Sequence, residues 1–303
     1  MRMHWHWLIV IYLFLGGLGA GAYLTSFAAE KGWLGPSSSL KRAGYYLAAP
    51  IVAIGTLLLV FDLGQGLYKP WLLIGLLSNL SSVMTWGVYI LSFFIIIGLI
   101  KGFLVFKNKN APAVLTWAGA ILALATGAYT GILLAVVEAV PFWNTAIMPV
   151  LFVVSALSTG LSATALLALL IEKQVSQQVR EGQAHLLLIV AELVIAALFF
   201  GLMFTGIKGT VGIESAAIVV SGAYSVVFWG YFIGLGLLFP LIVFILQQRS
   251  FKQTAKKTVS EPSVISSRLH IFADISVLLG GLALRGLIVF AALPVWDGFT
   301  LFL

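Results

Sequence analysis

The chain has 303 residues, of which 61% are hydrophobic and 9% are charged, and its mean hydropathy is +1.10. Soluble globular proteins contain roughly 45–50% apolar and about 25% charged residues, so the composition excludes a soluble enzyme. The formal net charge of +7 does not indicate nucleic-acid binding, because the basic residues are scattered between apolar runs. Since cysteine is absent, the chain alone forms no disulfide and holds no iron–sulfur cluster.

Eight apolar runs are long enough to cross a bilayer as helices, which takes about 20 residues each. They predict an all-α polytopic membrane protein with spans at 7–29, 45–61, 86–106, 114–137, 146–171, 184–205, 215–246 and 271–293. The seventh run is overlong, so we expect it to tilt or to extend past the bilayer at one end. The shorter apolar run 71–80 is expected to be an interfacial segment.

The first run has two alternative interpretations. Arg2 precedes it, and Ala20-Gly21-Ala22 resembles a signal-peptide cleavage site, but the run is too long for a typical signal sequence, which favours a retained helix. Its glycines, from Gly16 to Gly21, also resemble a dinucleotide-binding loop, a fingerprint that requires a preceding strand. We therefore expect these glycines to allow close packing between helices.

The basic residues predict the orientation in the membrane. Most of the 17 Lys and Arg residues, Lys101 among them, are assigned to the segments after the odd-numbered spans, whereas Arg2, Lys69 and Lys208 fall on the opposite side. Because positive charge is retained in the cytoplasm, both termini are predicted to lie on the outer side.

The segment 247–270 suggests a division of the protein. It is rich in Lys, Gln and Ser, contains Pro262, and is predicted to be a mobile cytoplasmic linker. We expect a first four-helix group over residues 1–145, and a second group over residues 146–303 that includes the linker.

Polar residues near the outer ends of the first four spans indicate a site, because polar groups are costly in hydrocarbon and functional by default. Span two ends at Asp62, and Tyr129 lies roughly 12 Å below the end of span four at 1.5 Å per residue. The residues that converge on this end of the first group are His6, Tyr12, Asp62, Tyr129, Glu138 and Asn144.

Such a set suits a quinone, which needs an apolar slot, hydrogen-bond donors for its carbonyl oxygens and ionisable groups close by. The alternative for Tyr12 and Tyr129 is an interfacial aromatic belt. The depth of Tyr129 favours a site, whereas both interpretations stay open for Tyr12. His6 fits an interfacial histidine better than a catalytic one.

The second half has a different polar set near the inner side. His185 and Glu192 belong to span six, and Asp274 and Arg285 belong to span eight. Glu192 and Arg285 differ in depth by roughly 9 Å, so a direct or water-bridged pair is feasible. Two interpretations remain equal here: a buried ion pair that locks the helices, or a cytoplasmic proton path toward the quinone site.

The order and spacing of several motifs resemble the membrane subunits of the polysulfide-reductase type, also called NrfD-like. The segments that carry the resemblance are 12–21, Asp62-Leu63-Gly64, 81–87, Tyr129-Thr130-Gly131 and 141–145. The resemblance covers the first 165 or so residues well, and the remainder mainly by helix count. This protein departs from the pattern after Asp62-Leu63-Gly64, where Gln65 to Tyr68 precede Lys69 and Pro70.

The resemblance implies an eight-helix subunit that binds menaquinone or ubiquinone and contains no haem. It implies two partners, a four-cluster iron–sulfur subunit and, beyond it, a molybdopterin catalytic subunit, so that this protein is one subunit of an oxidoreductase. The quinone would lie at the end facing the iron–sulfur subunit, near Tyr129 and Tyr12. Proton translocation is a further expectation for such a complex.

Two other classes of membrane protein compete with this interpretation. A haem-bearing cytochrome b usually needs histidines within its spans, whereas His4 and His6 are at the N-terminus, and His185 and His270 are at span ends. A secondary transporter or ion channel of the inner membrane is the alternative function, but only a faint internal likeness, between 16–23 and 158–165, suggests repeats.

Overall fold

A computed structural model describes residues 7–35, 38–62, 79–171, 179–254 and 264–295. These residues form helices and turns, with no β-strand among them, which confirms the all-α prediction. In chain order the elements are α1 Trp7–Glu30, α2 Ser38–Asp62, α3 Val83–Phe106, α4 Ala113–Ala135, α5 Ile147–Ile171, α6 Val179–Phe204, α7 Gly209–Val220, a π-helical segment Val227–Leu238, α8 Phe239–Thr254 and α9 Val264–Phe290.

Eight spans are long and apolar enough to cross a membrane, as predicted. Contacts between their ends show that they run up and down. At one end, Trp143 Nε1 donates to the Ile288 carbonyl at 2.7 Å; at the other, Arg180 Nη1 donates to the Gly32 carbonyl at 3.3 Å. We call the Trp143 end the outer end and the Arg180 end the inner end, following the predicted orientation.

Helix α1 is a central element of the bundle and packs against α2, α4, α5 and α9. It is the most buried span, with 67% of its membrane window inside the protein. A Cβ added at Gly21 would fall 1.8 Å from the Ala156 carbonyl oxygen on α5, and one at Gly160 would fall 2.2 Å from the Gly21 carbonyl carbon. The prediction that these glycines serve packing is confirmed.

The seventh run is not one overlong helix, which corrects its expected form. Helix α7 ends at Val220, a turn follows, and the membrane span is Val227–Arg249. The reason is local: Ser221 and Gly222 both donate their N–H groups back to the Ala217 carbonyl, which closes the last turn of α7. Trp229 Nε1 also caps this end by donating to the Val220 carbonyl at 2.9 Å.

The π-helical segment leads into α8 at Phe239 and Pro240. Proline has no N–H to donate and clashes with the carbonyl of the preceding turn, and a wider π turn accommodates this mismatch. On the facing side, a Cβ added at Gly236 would fall 2.5 Å from the Gly280 Cα of α9. The two glycines therefore bring the seventh and eighth spans into backbone contact.

The predicted linker 247–270 is helical at both ends. Helix α8 continues to Thr254 and α9 starts at Val264, while residues 255–263 lie outside the described ranges. The interfacial prediction for 71–80 also falls almost entirely on residues the structure does not describe. Helix α5 packs against α1, α2 and α4 as well as α6 and α9, so it joins the two predicted four-helix groups.

Candidate functional site

Tyr12 on α1 and Tyr129 on α4 are brought together near the outer end. Each lies five or six residues from its helix end, at a depth of about 8–9 Å, and their phenols are close enough to interact electrostatically. A Cβ added at Gly87 of α3 would fall 1.8 Å from Tyr129 Cζ. The Tyr129 ring therefore occupies the space that the missing side chain of Gly87 leaves, and this contact fixes its position between α3 and α4.

The Tyr12 hydroxyl is a buried donor without a partner. Its residue is 0% exposed, and among the described residues no hydrogen-bond partner reaches the hydroxyl. Buried polar groups are almost always hydrogen-bonded in folded proteins, so this phenol is available to a ligand. A quinone carbonyl oxygen is an acceptor of the required kind, so the donor chemistry of the two phenols fits a quinone.

The other four predicted residues of this end have different outcomes. Glu138 is exposed in the loop after α4. His6 lies outside the described residues, and Asp62 is the last residue of α2. Asn144 Nδ2 donates to the Ala135 carbonyl at 2.8 Å, and its Oδ1 accepts from Lys208 Nζ at 3.2 Å. The Asn144 amide thus ties the loop after α4 to the second group, and its contact with a ligand stays a prediction.

A second polar cluster lies at the inner end of the first group and was missed from sequence. Lys101, assigned to a loop, instead lies within α3, is 2% exposed, and forms an ion pair with Glu30 at 2.9 Å. Its Nζ also donates to Thr116 Oγ1 at 2.8 Å. Tyr45 donates to the same Glu30 oxygen at 2.6 Å, and Tyr23 donates to the Thr116 carbonyl at 3.3 Å. We call these five residues the lysine cluster.

Glu192 and Arg285 come together at the middle of the bundle through a residue of α5. Arg285 Nη1 donates to Ser155 Oγ and, at 3.0 Å, to the Gly281 carbonyl. The polar groups that act on the Glu192 carboxylate are the Ser155 and Ser158 hydroxyls and the Arg285 charge. Ser155 therefore contacts both charged side chains: it accepts from Arg285 and acts on the Glu192 carboxylate.

His185 and Asp274 also come together, at the inner end of the second group. His185 Nε2 lies 3.8 Å from Asp274 Oδ1, and the His185 ring stacks on Phe244 with centroids 4.3 Å apart. These three residues line a small polar cavity together with Glu181, Gly182, Gln247 and His270. The structure thus has a polar cavity at the inner ends of α6 and α9, and His270 lines it too. That this cavity is the mouth of a proton path stays a prediction.

The four residues predicted for the proton path thus form two separate pairs, Glu192 with Arg285 and His185 with Asp274, rather than one continuous group. His185 and Glu192 are separated by two turns of α6, which corresponds to about 10 Å of helix rise. Over the residues that the structure describes, no group of three or more His, Asp or Glu side chains is arranged to hold a metal ion. A polar link between the two pairs would need side chains from another helix.

These features define a polytopic helical membrane protein with a buried tyrosine pair at one end and charged groups buried at depth. The family model described as "Polysulphide reductase, NrfD" matches residues 1–295. The protein belongs to this family, as its motifs indicated, and is a multi-pass protein of the inner membrane.

Three relatives match over most of their length. The polysulfide reductase C subunit of Wolinella succinogenes is 32% identical over 314 residues, which cover 95% of this protein and 93% of that relative. The NrfD homolog of Haemophilus influenzae is 30% identical over 324 residues, or 95% of this protein and 94% of that relative. Protein NrfD of Escherichia coli is 29% identical over 273 residues, or 79% and 83% respectively.

Proposed function

We propose that this protein is the membrane anchor and quinone-reactive subunit of a respiratory oxidoreductase, and that Tyr12 and Tyr129 hold the quinone. The observation that carries the proposal is the buried, unpartnered Tyr12 hydroxyl beside Tyr129 at the outer end. The likeness to the polysulfide reductase C subunit supports it, since that name denotes one polypeptide of a reductase. Catalysis on the terminal substrate would take place on a partner subunit.

The protein's own residues bind and orient the ligand. A menaquinone or ubiquinone, when bound, supplies the redox chemistry of the site. Tyr129 donates a hydrogen bond to one carbonyl oxygen from a ring held against Gly87. Tyr12 donates from a position that is 0% exposed, where exclusion of water strengthens the interaction. Asp62, His6 and Asn144 stay candidates for further contacts at this end.

Removing one hydroxyl tests this assignment. Tyr129→Phe should lower quinone-dependent turnover on the order of ten-fold, because a hydrogen bond worth about 1.4 kcal/mol is lost while the ring still packs. Tyr231→Phe is the matched control, because the Tyr231 side chain is 50% exposed at the surface of the bundle. Turnover and subunit stoichiometry are measured in the purified complex with a quinone analogue. Normal turnover of Tyr129→Phe in an intact complex contradicts the assignment.

The proposed partners are an iron–sulfur subunit with four clusters and, above it, a molybdopterin subunit. Electrons must arrive near the tyrosine pair, so we propose that loops 62–85 and 138–145 at the outer end dock the iron–sulfur subunit. Trp86, in the first turn of α3 directly after the first of these loops, is 54% exposed, and aromatic residues are enriched at interfaces.

Crosslinking mass spectrometry of the whole complex tests the docking surface. We expect crosslinks from the iron–sulfur subunit to fall on loops 62–85 and 138–145. Crosslinks confined to segments 107–113 and 172–183, at the inner end, would reverse the orientation and remove the proposed docking surface.

A further inference from the structure

Helix α5 has a buried stripe of hydroxyl side chains along one face. Ser155, Ser158, Thr159 and Ser162 have the spacing i, i+3, i+4 and i+7, which places them on the same side of a helix. Each is at most 1% exposed. Thr159 Oγ1 donates to the Ser155 carbonyl at 2.8 Å, so its hydroxyl is used by its own helix. The three serine hydroxyls instead lie near charged groups of other helices.

The serines reach from one charged pair to the other. Ser155 and Ser158 are the hydroxyl neighbours of the Glu192 carboxylate, and Ser162 is the hydroxyl neighbour of Asp274. The rise from Ser155 to Ser162 is about 10 Å, which matches the separation between His185 and Glu192 on α6. Helix α5 therefore places hydroxyl groups beside both charged pairs.

Several polar atoms along this line are buried and unpartnered. Within the described ranges, no hydrogen-bond partner reaches Ser158 Oγ, Ser162 Oγ, Asp274 Oδ1, His185 Nδ1, or Nε and Nη2 of Arg285. Buried polar atoms that lack protein partners are normally satisfied by ordered water. Ser162 is the hydroxyl that acts on the Asp274 carboxylate, and neither Ser162 Oγ nor Asp274 Oδ1 has a hydrogen-bond partner among the described residues. One ordered water shared between them would satisfy both atoms.

The line of serines ends near a polar cavity on one side and near α1 on the other. At the inner end, the cavity lined by His185, His270 and Asp274 has a volume of about 20 Å³, which is room for one water molecule. At the other end, Arg285 Nη2 approaches α1, because a Cβ added at Gly17 would fall 3.1 Å from it. Tyr12 lies five residues before Gly17, about 8 Å along the same helix.

We propose that Ser155, Ser158 and Ser162, with ordered water between them, form a proton-conducting column that joins the His185–Asp274 mouth to Glu192 and Arg285. This inference rests on the proposed quinone site, which the column would supply with protons from the inner side. Each hydroxyl accepts a proton on one side and releases one on the other, so the column has no net change. Each proton that leaves toward the tyrosine pair is replaced by one entering at the mouth.

The test uses the intact complex in proteoliposomes, with a pH-sensitive dye in the compartment that faces His185. The double variant S158A/S162A should lower proton uptake from that compartment, and turnover with it, by about ten-fold or more. The matched control is Thr164→Val, since Thr164 is buried on the same helix but points away from the stripe and donates to the Gly160 carbonyl at 2.7 Å. The control should keep the wild-type rate.

A second measurement is independent of turnover. A high-resolution cryo-EM map of the resting complex should show ordered water between Ser158 and Ser162 in the wild type, and in Tyr129→Phe as well. Wild-type proton uptake by S158A/S162A, uptake from the opposite compartment, or a dry map in this region would each overturn the column. Loss of turnover in Tyr129→Phe with normal uptake in the serine variant would leave the quinone site standing and remove the column alone.

Discussion

Two buried charged regions of this protein differ in how their polar atoms are partnered. In the lysine cluster, Lys101 has an acidic partner at 2.9 Å and a hydroxyl partner at 2.8 Å, and both tyrosines donate to an acceptor. At one end of the serine column, Arg285 Nη1 donates to one hydroxyl and one carbonyl. Its Nε and Nη2 have no hydrogen-bond partner among the described residues.

This difference separates a structural role from a functional one. A buried polar network whose members are all satisfied fixes the arrangement of the helices it joins, and the lysine cluster joins α1, α2, α3 and α4. A network with unpartnered atoms has sites that water or a ligand must fill. We therefore assign the lysine cluster to stability and the serine column to proton movement, and the predictions below test this division.

The largest expected effect comes from breaking the lysine cluster. Lys101→Met removes the paired cation and leaves the Glu30 carboxylate, whose side chain is 36% exposed, with the Tyr45 hydroxyl as its remaining hydrogen-bond partner among the described residues. We expect the free energy of unfolding to fall by up to about 3 kcal/mol, since breaking a fully buried pair costs about 3–5 kcal/mol and partial exposure of Glu30 reduces this. Turnover per assembled complex should stay normal.

Thermal unfolding in detergent and quinone turnover are measured together for this variant. Lys109→Met is the control, because Lys109 is exposed just beyond the end of α3. A variant that is as stable as the wild type but turns over slowly would give the lysine cluster a functional role and erase the contrast.

Glu192→Gln tests the opposite side of the comparison. If Glu192 carries protons, the complex should assemble and unfold at the wild-type temperature, while proton uptake and turnover fall together by on the order of 100-fold. The control is Glu214→Gln, an exposed carboxylate on α7. If the variant unfolds earlier or fails to assemble while the remaining complex is fully active, Glu192 and Arg285 form a structural pair instead.

Much of this arrangement is predictable from the sequence, because hydropathy reports directly on length and burial in a membrane. The eight spans and the packing role of the α1 glycines follow from composition and spacing alone. The convergence of Tyr12 with Tyr129 follows from depth counted along two helices. These inferences need only the helix rise and an alternating direction of the spans.

The rest depends on which face of a helix meets which neighbour. Lys101 lies within the apolar run 86–106, and its depth there could have indicated burial, but its pairing with Glu30 depends on helix rotation. Ser155, Ser158 and Ser162 are small polar residues that hydropathy scarcely marks. Their i, i+3, i+7 spacing was the available signal, and only the contacts with Glu192 and Asp274 give it a meaning.

The smallest expected effect comes from Tyr23→Phe in the lysine cluster. The Tyr23 hydroxyl donates one neutral hydrogen bond of 3.3 Å to the Thr116 carbonyl, and it is pressed against Gly119, where an added Cβ would fall 2.0 Å from the oxygen. The ring contacts with Tyr45 and Phe94, at centroid distances of 4.9 and 5.6 Å, are kept in the variant. We expect a loss of about 1 kcal/mol in stability and unchanged quinone turnover and proton uptake.

This small effect is informative because Tyr23 and Tyr12 are both fully buried tyrosines on α1. Tyr23 has a protein acceptor and Tyr12 has none among the described residues. Tyr12→Phe should therefore lower quinone turnover at nearly constant stability, whereas Tyr23→Phe should do the reverse. Equal losses of turnover in the two variants, measured in the same complex, would show that partnering of the hydroxyl does not distinguish the site from the scaffold.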